Sequence, residues 1–415
     1  MPYQAPRGTK DILPNEVFFW QEIEKAGRKL FSLYHYNEIR TPIIEDVALF
    51  KRSLGDSAEI VQKQMFTIEK GDDVLVLRPE ATASIARAYL EHNLGHNLKI
   101  NKLFYIGPMF RAERPQKGRL RQFHHIGVEA IGSASHLFDI EVIELMDQLL
   151  KNIGICDHTI LINSLGCTSD KDNFSQLLKK KLSKQKDSLC QDCQDRISRN
   201  IFRVLDCKKE SCRKIVSSLN LDNSYLCQDC NKHFDGVING LKQVGINFKI
   251  DKRLVRGLDY YSRTVFEVIH PDLGAQDALG AGGRYDYLFK ELTGKEIGGV
   301  GFAIGMERVL LVKKNQTSKP KLDVYIITLG EKATSKGLEV LRLLRKEGIE
   351  SDMDFTESSL KSKLNEANKI GARFSIIIGD NELNKDVVVL RDMNQASQKE
   401  IGLSGLLAQV RSSLC

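Results

Sequence analysis

Three arginines stand in glycine-flanked, otherwise apolar surroundings. Arg111 ends the run Phe104-Tyr-Ile-Gly-Pro-Met-Phe-Arg111, Arg256 interrupts Leu254-Val-Arg-Gly-Leu-Asp-Tyr-Tyr261, and Arg308 follows Gly298-Gly-Val-Gly-Phe-Ala-Ile-Gly305. Arg119 and Arg121 lie across a short polar loop from Arg111. Converging guanidiniums grip phosphate bidentately and stabilise charge that develops in phosphoryl or nucleotidyl transfer. Taken singly, each is also readable as an ion-pairing residue, and the loop as a solvated basic hairpin. Together they favour a nucleotide site. That site is not of the common kinds: GxxxxGK[ST] is absent, and the glycines before Arg308 have neither GxGxxG spacing nor a βαβ context.

The arginine loop belongs to a longer pattern from Phe104 to Glu129. With period two, the first run sends Phe104, Ile106, Pro108 and Phe110 to one face and Tyr105, Gly107, Met109 and Arg111 to the other. The second run puts Arg121, Phe123, His125, Gly127 and Glu129 on a shared face. The pattern predicts a hairpin with one apolar face and one of arginine, imidazole and carboxylate, where glycines leave room for a ligand against the backbone. In Leu77-Arg-Pro-Glu-Ala-Thr-Ala83 a strand hands over to a helix, and Pro79 bars an earlier helix start. Glu80 and Thr82 then project from a rigid junction, suited to a substrate ammonium; alternatively Thr82 simply caps the helix.

The cysteines form a second candidate constellation. Cys190-x2-Cys193 and Cys227-x2-Cys230 are two knuckles spaced for a four-cysteine structural zinc site, with Cys207-x4-Cys212 as a third pair between them. The spacer between the knuckles is longer than in common zinc fingers, and six paired cysteines exceed one mononuclear site. Such an ion would staple its segment and take no part in catalysis.

Helices are predicted at 15–34, 81–92 and 136–153. Strands are predicted near 65–68, 74–77, 102–111 and 121–132, with Gly71-Asp72-Asp73 turning an antiparallel hairpin. Adjacent strands without intervening helices imply an antiparallel sheet. From 166 to 240 the chain turns polar and Lys-rich and holds seven of the nine cysteines, which reads as an insertion. Strands resume at 248–250, 254–261 and 264–269, and a helix opens at Met306. Residues 315–320 have linker composition. Beyond them strands at 324–328, 350–355, 374–378 and 387–390 alternate with helices at 334–347, at 360–370 and near the C-terminus, predicting a small, mostly parallel α/β domain.

A chain of 415 residues, 42% hydrophobic, can bury two or three domain cores. No run of eighteen apolar residues predicts a membrane span. The first residues carry prolines and both charge signs without an apolar stretch, and Asp11 and Glu16 argue against a transit peptide, so a cytoplasmic location is expected. Net charge is +7, and residues 166–240 supply +4 of it, with 14 Lys/Arg against 10 Asp/Glu; residues 320–415 balance at 14 against 14. The basic insertion therefore suits a polyanion, or else is a solvated surface.

RPEATA, FRAERPQKGRLRQFHH, LVRGLDYYSRTVFEV and GVGFAIGMERVLL resemble the histidyl-tRNA synthetases, a family of class II aminoacyl-tRNA synthetases. The likeness runs from Arg7-Gly-Thr-Lys-Asp-Ile-Leu13 through the C-terminal domain. It implies an α+β catalytic domain (1–165 and 241–315) with an antiparallel sheet flanked by helices. It also implies the small cysteine-containing insertion (166–240), a C-terminal anticodon-binding α/β domain (320–415), and a homodimer formed around Ile39-Arg-Thr-Pro-Ile43. The implied reaction is ATP-dependent activation of L-histidine to histidyl-adenylate and transfer to the 3′ end of tRNA(His), with Mg2+ accompanying ATP.

By the same resemblance, Arg111 and Arg308 would contact the ATP phosphates, Arg119 would help hold the nucleotide, and Arg256 would stabilise the α-phosphate. Glu80 and Thr82 would bind the amino group, while Glu129 and Tyr261, with Tyr260 nearby, would frame the imidazole. Arg114 and Gln116 would face the tRNA acceptor end. Two positions depart from the family pattern: Ala81 replaces its usual glycine, and His125 its usual glutamine, which helps hold the substrate amino group. A neutral imidazole can accept that hydrogen bond, whereas a protonated one would repel the ammonium; alternatively His125 merely packs at the pocket edge. A synthetase-like regulatory subunit that senses histidine or tRNA without catalysis is the second reading. The retained arginines and C-terminal segment argue against it.

Overall fold

The computed structural model describes residues 3–55, 58–313 and 322–414. The chain divides into two compact units, Met1–Thr317 and Ser318–Cys415. The expected linker at 315–320 lies outside the described residues.

The strands of the first unit are β1 (Asn37–Glu38), β2 (Ile44–Asp46), β3 (Phe66–Lys70), β4 (Asp73–Leu77), β5 (Asn101–Phe110), β6 (Gln122–Ile131), β7 (Thr159–Ser164), β8 (Phe248–Ile250), β9 (Ser262–Ile269), β10 (Ala278–Arg284) and β11 (Gly299–Gly305). Eight form a sheet in the order β1-β5-β6-β11-β10-β9-β7-β8. Its six central strands are antiparallel, as the sequence predicts, and only the edge pairs β1/β5 and β7/β8 run parallel. A second sheet, β2-β4-β3, contains the predicted hairpin, closed at Lys70↔Asp73 around Gly71, whose φ of +62° suits glycine.

Strand alternation sorts the first unit's side chains into two cores. Phe104, Ile126, Val128, Phe266 and Phe302 turn toward the helices Pro14–Leu33, His136–Asn152 and Gln228–Gln243. Leu103, Tyr105, Met109, Val265 and Tyr285 turn the other way, against Tyr260, Tyr261 and the helix Thr82–Glu91. The apolar and polar faces of the hairpin are thus the two sides of the sheet. The segment predicted as a strand at 254–261 is irregular instead. Its Leu254, Tyr260 and Tyr261 are buried because they wall a cavity, so its apolar character reflects burial and not sheet pairing.

Residues 168–243 are mainly helical and gather a separate cluster around Phe174, Leu178, Val204 and four buried cysteines, Cys193, Cys207, Cys212 and Cys230, with Cys167 and Cys190 packed against it. In the second unit, β12 (Val324–Thr328), β13 (Ser351–Met353), β14 (Phe374–Ile378), β15 (Val387–Asp392) and β16 (Gln398–Gly402) order as β13-β12-β14-β15-β16. Only β12/β13 and β12/β14 are parallel; β14/β15 and β15/β16 are antiparallel, so the sheet is mixed and not mostly parallel. The unpredicted β16 is a charged, mostly exposed edge without an apolar alternation.

Candidate active site

The polar face of the large sheet floors a cavity of about 870 Å3. Register sets the floor: Gly107 lies opposite His125, Leu103 opposite Glu129, Gly301 opposite Glu129 and Ala281 opposite Glu267. Glu80, Thr82, Arg111, Arg119, His125, Glu129, Arg256, Tyr260, Tyr261 and Arg308 all line this one cavity. Residues spread over 228 positions of sequence (80 to 308) therefore meet because the sheet brings their strands side by side.

One end is built from carboxylates and hydroxyls. Glu129, almost wholly buried, accepts a hydrogen bond from Thr82 Oγ1 at 2.7 Å on Oε1 and from the Tyr285 phenol at 2.6 Å on Oε2. Burial pushes its pKa up to about 8; the two hydroxyl donors oppose this, and the neighbouring Glu80 adds to it. Glu80 accepts the backbone N–H of Thr82 at 2.7 Å and of Ala83 at 2.9 Å. The helix start is thus capped by Glu80, not by Thr82, whose hydroxyl is spent on Glu129. Burial raises the Glu80 pKa as well, though those N–H donors and Arg111 pull it back. Tyr260 and Tyr261 close the wall with ring centroids 4.6 Å apart.

His125 lines the same cavity, edge-on to Phe123 with centroids 5.0 Å apart. Burial, then the positive charges of Arg111 and Arg308, depress its pKa to about 3. The imidazole is therefore neutral near pH 7, and its buried Nδ1 has no hydrogen-bond partner among the described residues.

The other end is cationic. Arg111 is anchored by Nε donating to Pro79 O at 3.0 Å, with its guanidinium 5.2 Å from the Phe123 ring centre. Arg308 donates from Nε to Gly118 O at 3.0 Å and from Nη1 to Ala278 O. Burial and then the repulsion of Arg119 lower its pKa, with Arg111 adding to the effect; Glu113, paired with Arg119 at 3.2 Å, relieves it only partly. Like charges held this close leave unmet demand for an anion. Arg256 pairs with Glu267 at 2.7 Å and lies 5.7 Å from the Tyr261 ring centre. Burial opposes its charge, but Glu267 and the tyrosines outweigh it and its pKa is raised.

Some expectations change. The glycines of this face admit the neighbouring strand and its side chains: a Cβ on Gly301 would fall 2.0 Å from Glu129 Oε2, and one on Gly127 2.3 Å from Phe302 O and 2.7 Å from the Tyr105 ring. Arg114 and Gln116 are not in the main cavity but line a recess of about 600 Å3 that shares Glu59, Gln64, Glu113 and Arg119 with it. The four knuckle cysteines do not converge. Cys190 and Cys193 meet Cys207 and Cys212, whereas Cys227 and Cys230 meet Cys167 and Asp170. The knuckles sit at the starts of two different helices, Gln191–Arg199 and Gln228–Gln243, which separates them.

Sequence reasoning missed Tyr285 and Glu267. Glu267 lies in the predicted strand 264–269, where the period-two face opposite Phe266 and Val268 marks it. Tyr285 follows the glycine-rich strand β10, whose composition reads as a loop.

A profile of the histidyl-tRNA synthetase family matches residues 8–309, and one of the anticodon binding domain matches residues 323–413. The chain is 44% identical to a histidine--tRNA ligase of Halothermothrix orenii over 99% of both sequences, and 44% identical to one of Natranaerobius thermophilus over 98% of both. Among solved structures, an apo histidyl-tRNA synthetase of S. aureus superposes with a TM-score of 0.81 at 32% identity, covering 98% of this chain and 99% of that one. With a two-ended cavity on an antiparallel sheet and full-length likeness of this order, the chain belongs to the histidyl-tRNA synthetase family.

Proposed function

We propose that this chain joins L-histidine to ATP, forming histidyl-adenylate, and then transfers the histidyl group to the 3′ end of tRNA(His). The observation that carries this reading is the cavity's polarity: a carboxylate and phenol end adjoins a cluster of half-buried guanidiniums. A cationic amino acid and a polyphosphate fit such a pair of subsites side by side.

Glu80 and Thr82 hold the α-ammonium, with the neutral His125 accepting a further hydrogen bond from it. Glu129, Tyr260 and Tyr261 frame the imidazole, a carboxylate and phenols together engaging both ring nitrogens. Arg111, Arg119 and Arg308 take the nucleotide phosphates. The histidine carboxylate attacks the α-phosphorus and pyrophosphate leaves; Arg256 neutralises charge that grows there. A tRNA ribose hydroxyl then attacks the acyl carbon and AMP leaves. In-line positioning and charge neutralisation suffice for this, without a protein nucleophile. Mg2+ accompanies ATP, carried chiefly on the phosphates. The carboxylates beside the arginines, Glu113 and Glu267, are already paired, and among the described residues no group of three metal-ligating side chains forms there.

Arg114 and Gln116 meet the acceptor end of the tRNA, and the C-terminal unit its anticodon. The catalytic domain comprises 1–165 and 241–315. The chain works as a homodimer in the cytoplasm, and the exposed Ile43 and Ile44, at and just after the end of Ile39-Arg-Thr-Pro-Ile43, support a pairing surface there. Zinc belongs to the insertion and takes no part in the reaction. No helix among the described residues is long and apolar enough to cross a membrane.

The test is ATP-dependent attachment of labelled histidine to tRNA, with periodate-oxidised tRNA as control. Attachment to intact tRNA alone is expected. Histidine binding without any attachment would instead indicate a regulatory, non-catalytic subunit.

A further inference from the structure

All seven cysteines of residues 166–240 fall into two groups of four donors, the eighth place being taken by Asp170. In the first, Cys190, Cys193, Cys207 and Cys212 bring their Sγ atoms within 4.8 Å of one another. In the second, the donor atoms of Cys167, Asp170, Cys227 and Cys230 do the same. A tetrahedral zinc site with Zn–S bonds of about 2.3 Å sets its sulfurs about 3.8 Å apart, so each group needs only a small contraction. Cysteines scattered for packing alone would not divide four and three with none left over.

The groups share one design. Cys167, Cys190 and Cys227 each precede the first residue of a helix, and Asp170, Cys193 and Cys230 each occupy its third position. Cys212 holds that third position in the helix Glu210–Ser218. Backbone N–H groups and the positive helix end therefore face each donor set, a setting suited to anionic ligands. The Asp170 carboxylate also accepts the N–H of Cys167 at 3.1 Å and of Cys227 at 2.9 Å, which fixes it between the two chain segments. Asp170, Cys193, Cys207, Cys212 and Cys230 are buried. Four ligands and no open position are the mark of a structural ion.

We propose that the insertion carries two structural zinc ions, one held by Cys190, Cys193, Cys207 and Cys212, the other by Cys167, Cys227, Cys230 and the carboxylate of Asp170. Binding releases the seven thiol protons to solvent and involves no oxidation. The first ion clamps the segment from Arg203 to Lys214, whose Arg203, Lys208, Arg213 and Lys214 wall the main cavity. The second joins the first helix of the insertion to its last, at the insertion's junction with the catalytic sheet.

The experiment is elemental analysis of the full chain purified without chelator. Two zinc ions per chain are expected, falling to one in the double variant Cys207→Ser/Cys212→Ser and to one in Cys227→Ser/Cys230→Ser. Fewer than two ions in the parent chain overturns the proposal. So does a zinc content that the first double variant leaves unchanged, and so do disulfides among these cysteines in the purified chain. Cobalt exchange into the unaltered chain covers the case of variants that do not fold. Tetrahedral cobalt spectra with charge-transfer intensity for seven thiolate bonds are expected, and intensity for four or fewer contradicts two sites.

Discussion

Tyr285 donates its phenolic hydrogen to Glu129 Oε2 at 2.6 Å, while Thr82 occupies the other oxygen at 2.7 Å. The carboxylate is thus fixed in place before any substrate arrives, and the bond also restrains its pKa. Leaving a buried acceptor without its partner costs about 1–3 kcal/mol. Tyr285→Phe should therefore raise KM for histidine roughly tenfold or more at pH 7, leaving KM for ATP near its original value. Steady-state kinetics in each substrate separately will check this.

The raised pKa of Glu129 gives histidine affinity a pH dependence. With its pKa at about 8, the ligand-free carboxyl is largely protonated at pH 7, and an imidazole N–H is best received by the ionised form. Affinity should therefore improve as pH rises from about 6.5 toward 8, with one proton released per histidine bound at the lower pH. Calorimetry in buffers of different ionisation enthalpy measures that proton. Glu129→Gln should bind more weakly and lose both the slope and the proton.

Arg256 is the guanidinium assigned to the reacting phosphate, and its partner Glu267 keeps it oriented. Removing one such preorganised donor typically lowers kcat about 10²- to 10³-fold. Arg256→Ala should reduce pyrophosphate exchange by at least that factor, while the histidine Kd from equilibrium dialysis stays within about threefold, the limit expected for a residue outside the amino-acid subsite. Unchanged exchange would refute its role.

His125 makes a prediction for acid stability as well as binding. Its folded pKa of about 3 lies below the ordinary 6.5, so the unfolded chain takes the proton first. The stability it contributes is present above pH 6.5 and is lost as pH falls toward 3. His125→Gln should remove that loss, so its melting temperature should drop less than the parent's between pH 7 and pH 5, by a few degrees. Because an amide oxygen also accepts a hydrogen bond, KM for histidine should change little in His125→Gln but rise roughly tenfold in His125→Ala.

The hairpin was legible because strand period two sorts Phe104 and Val128 from Tyr105 and Glu129 without reference to anything distant. Arg111, Glu129 and Arg308 were legible because charge in an apolar, glycine-flanked setting is costly. Tyr285 was not, since only the register of β10 with β11 and β9 brings it beneath Glu129. The segment 254–261 misled for the converse reason: its apolar residues wall a cavity, and sequence does not distinguish burial against a cavity from burial in a sheet. The cysteine knuckles gave ligand spacing within each helix start. Which starts meet is a matter of tertiary packing, and it proved to be Cys190 with Cys207, and Cys227 with Cys167.

Amino-acid-dependent exchange of labelled pyrophosphate into ATP, run with each amino acid supplied separately, bears on the adenylation site without requiring tRNA. Exchange with histidine alone is predicted, and it should collapse in Arg256→Ala. Exchange driven by another amino acid, or by none, would contradict a site in which Glu129 and the paired tyrosines select imidazole beside a nucleotide held by Arg111 and Arg308.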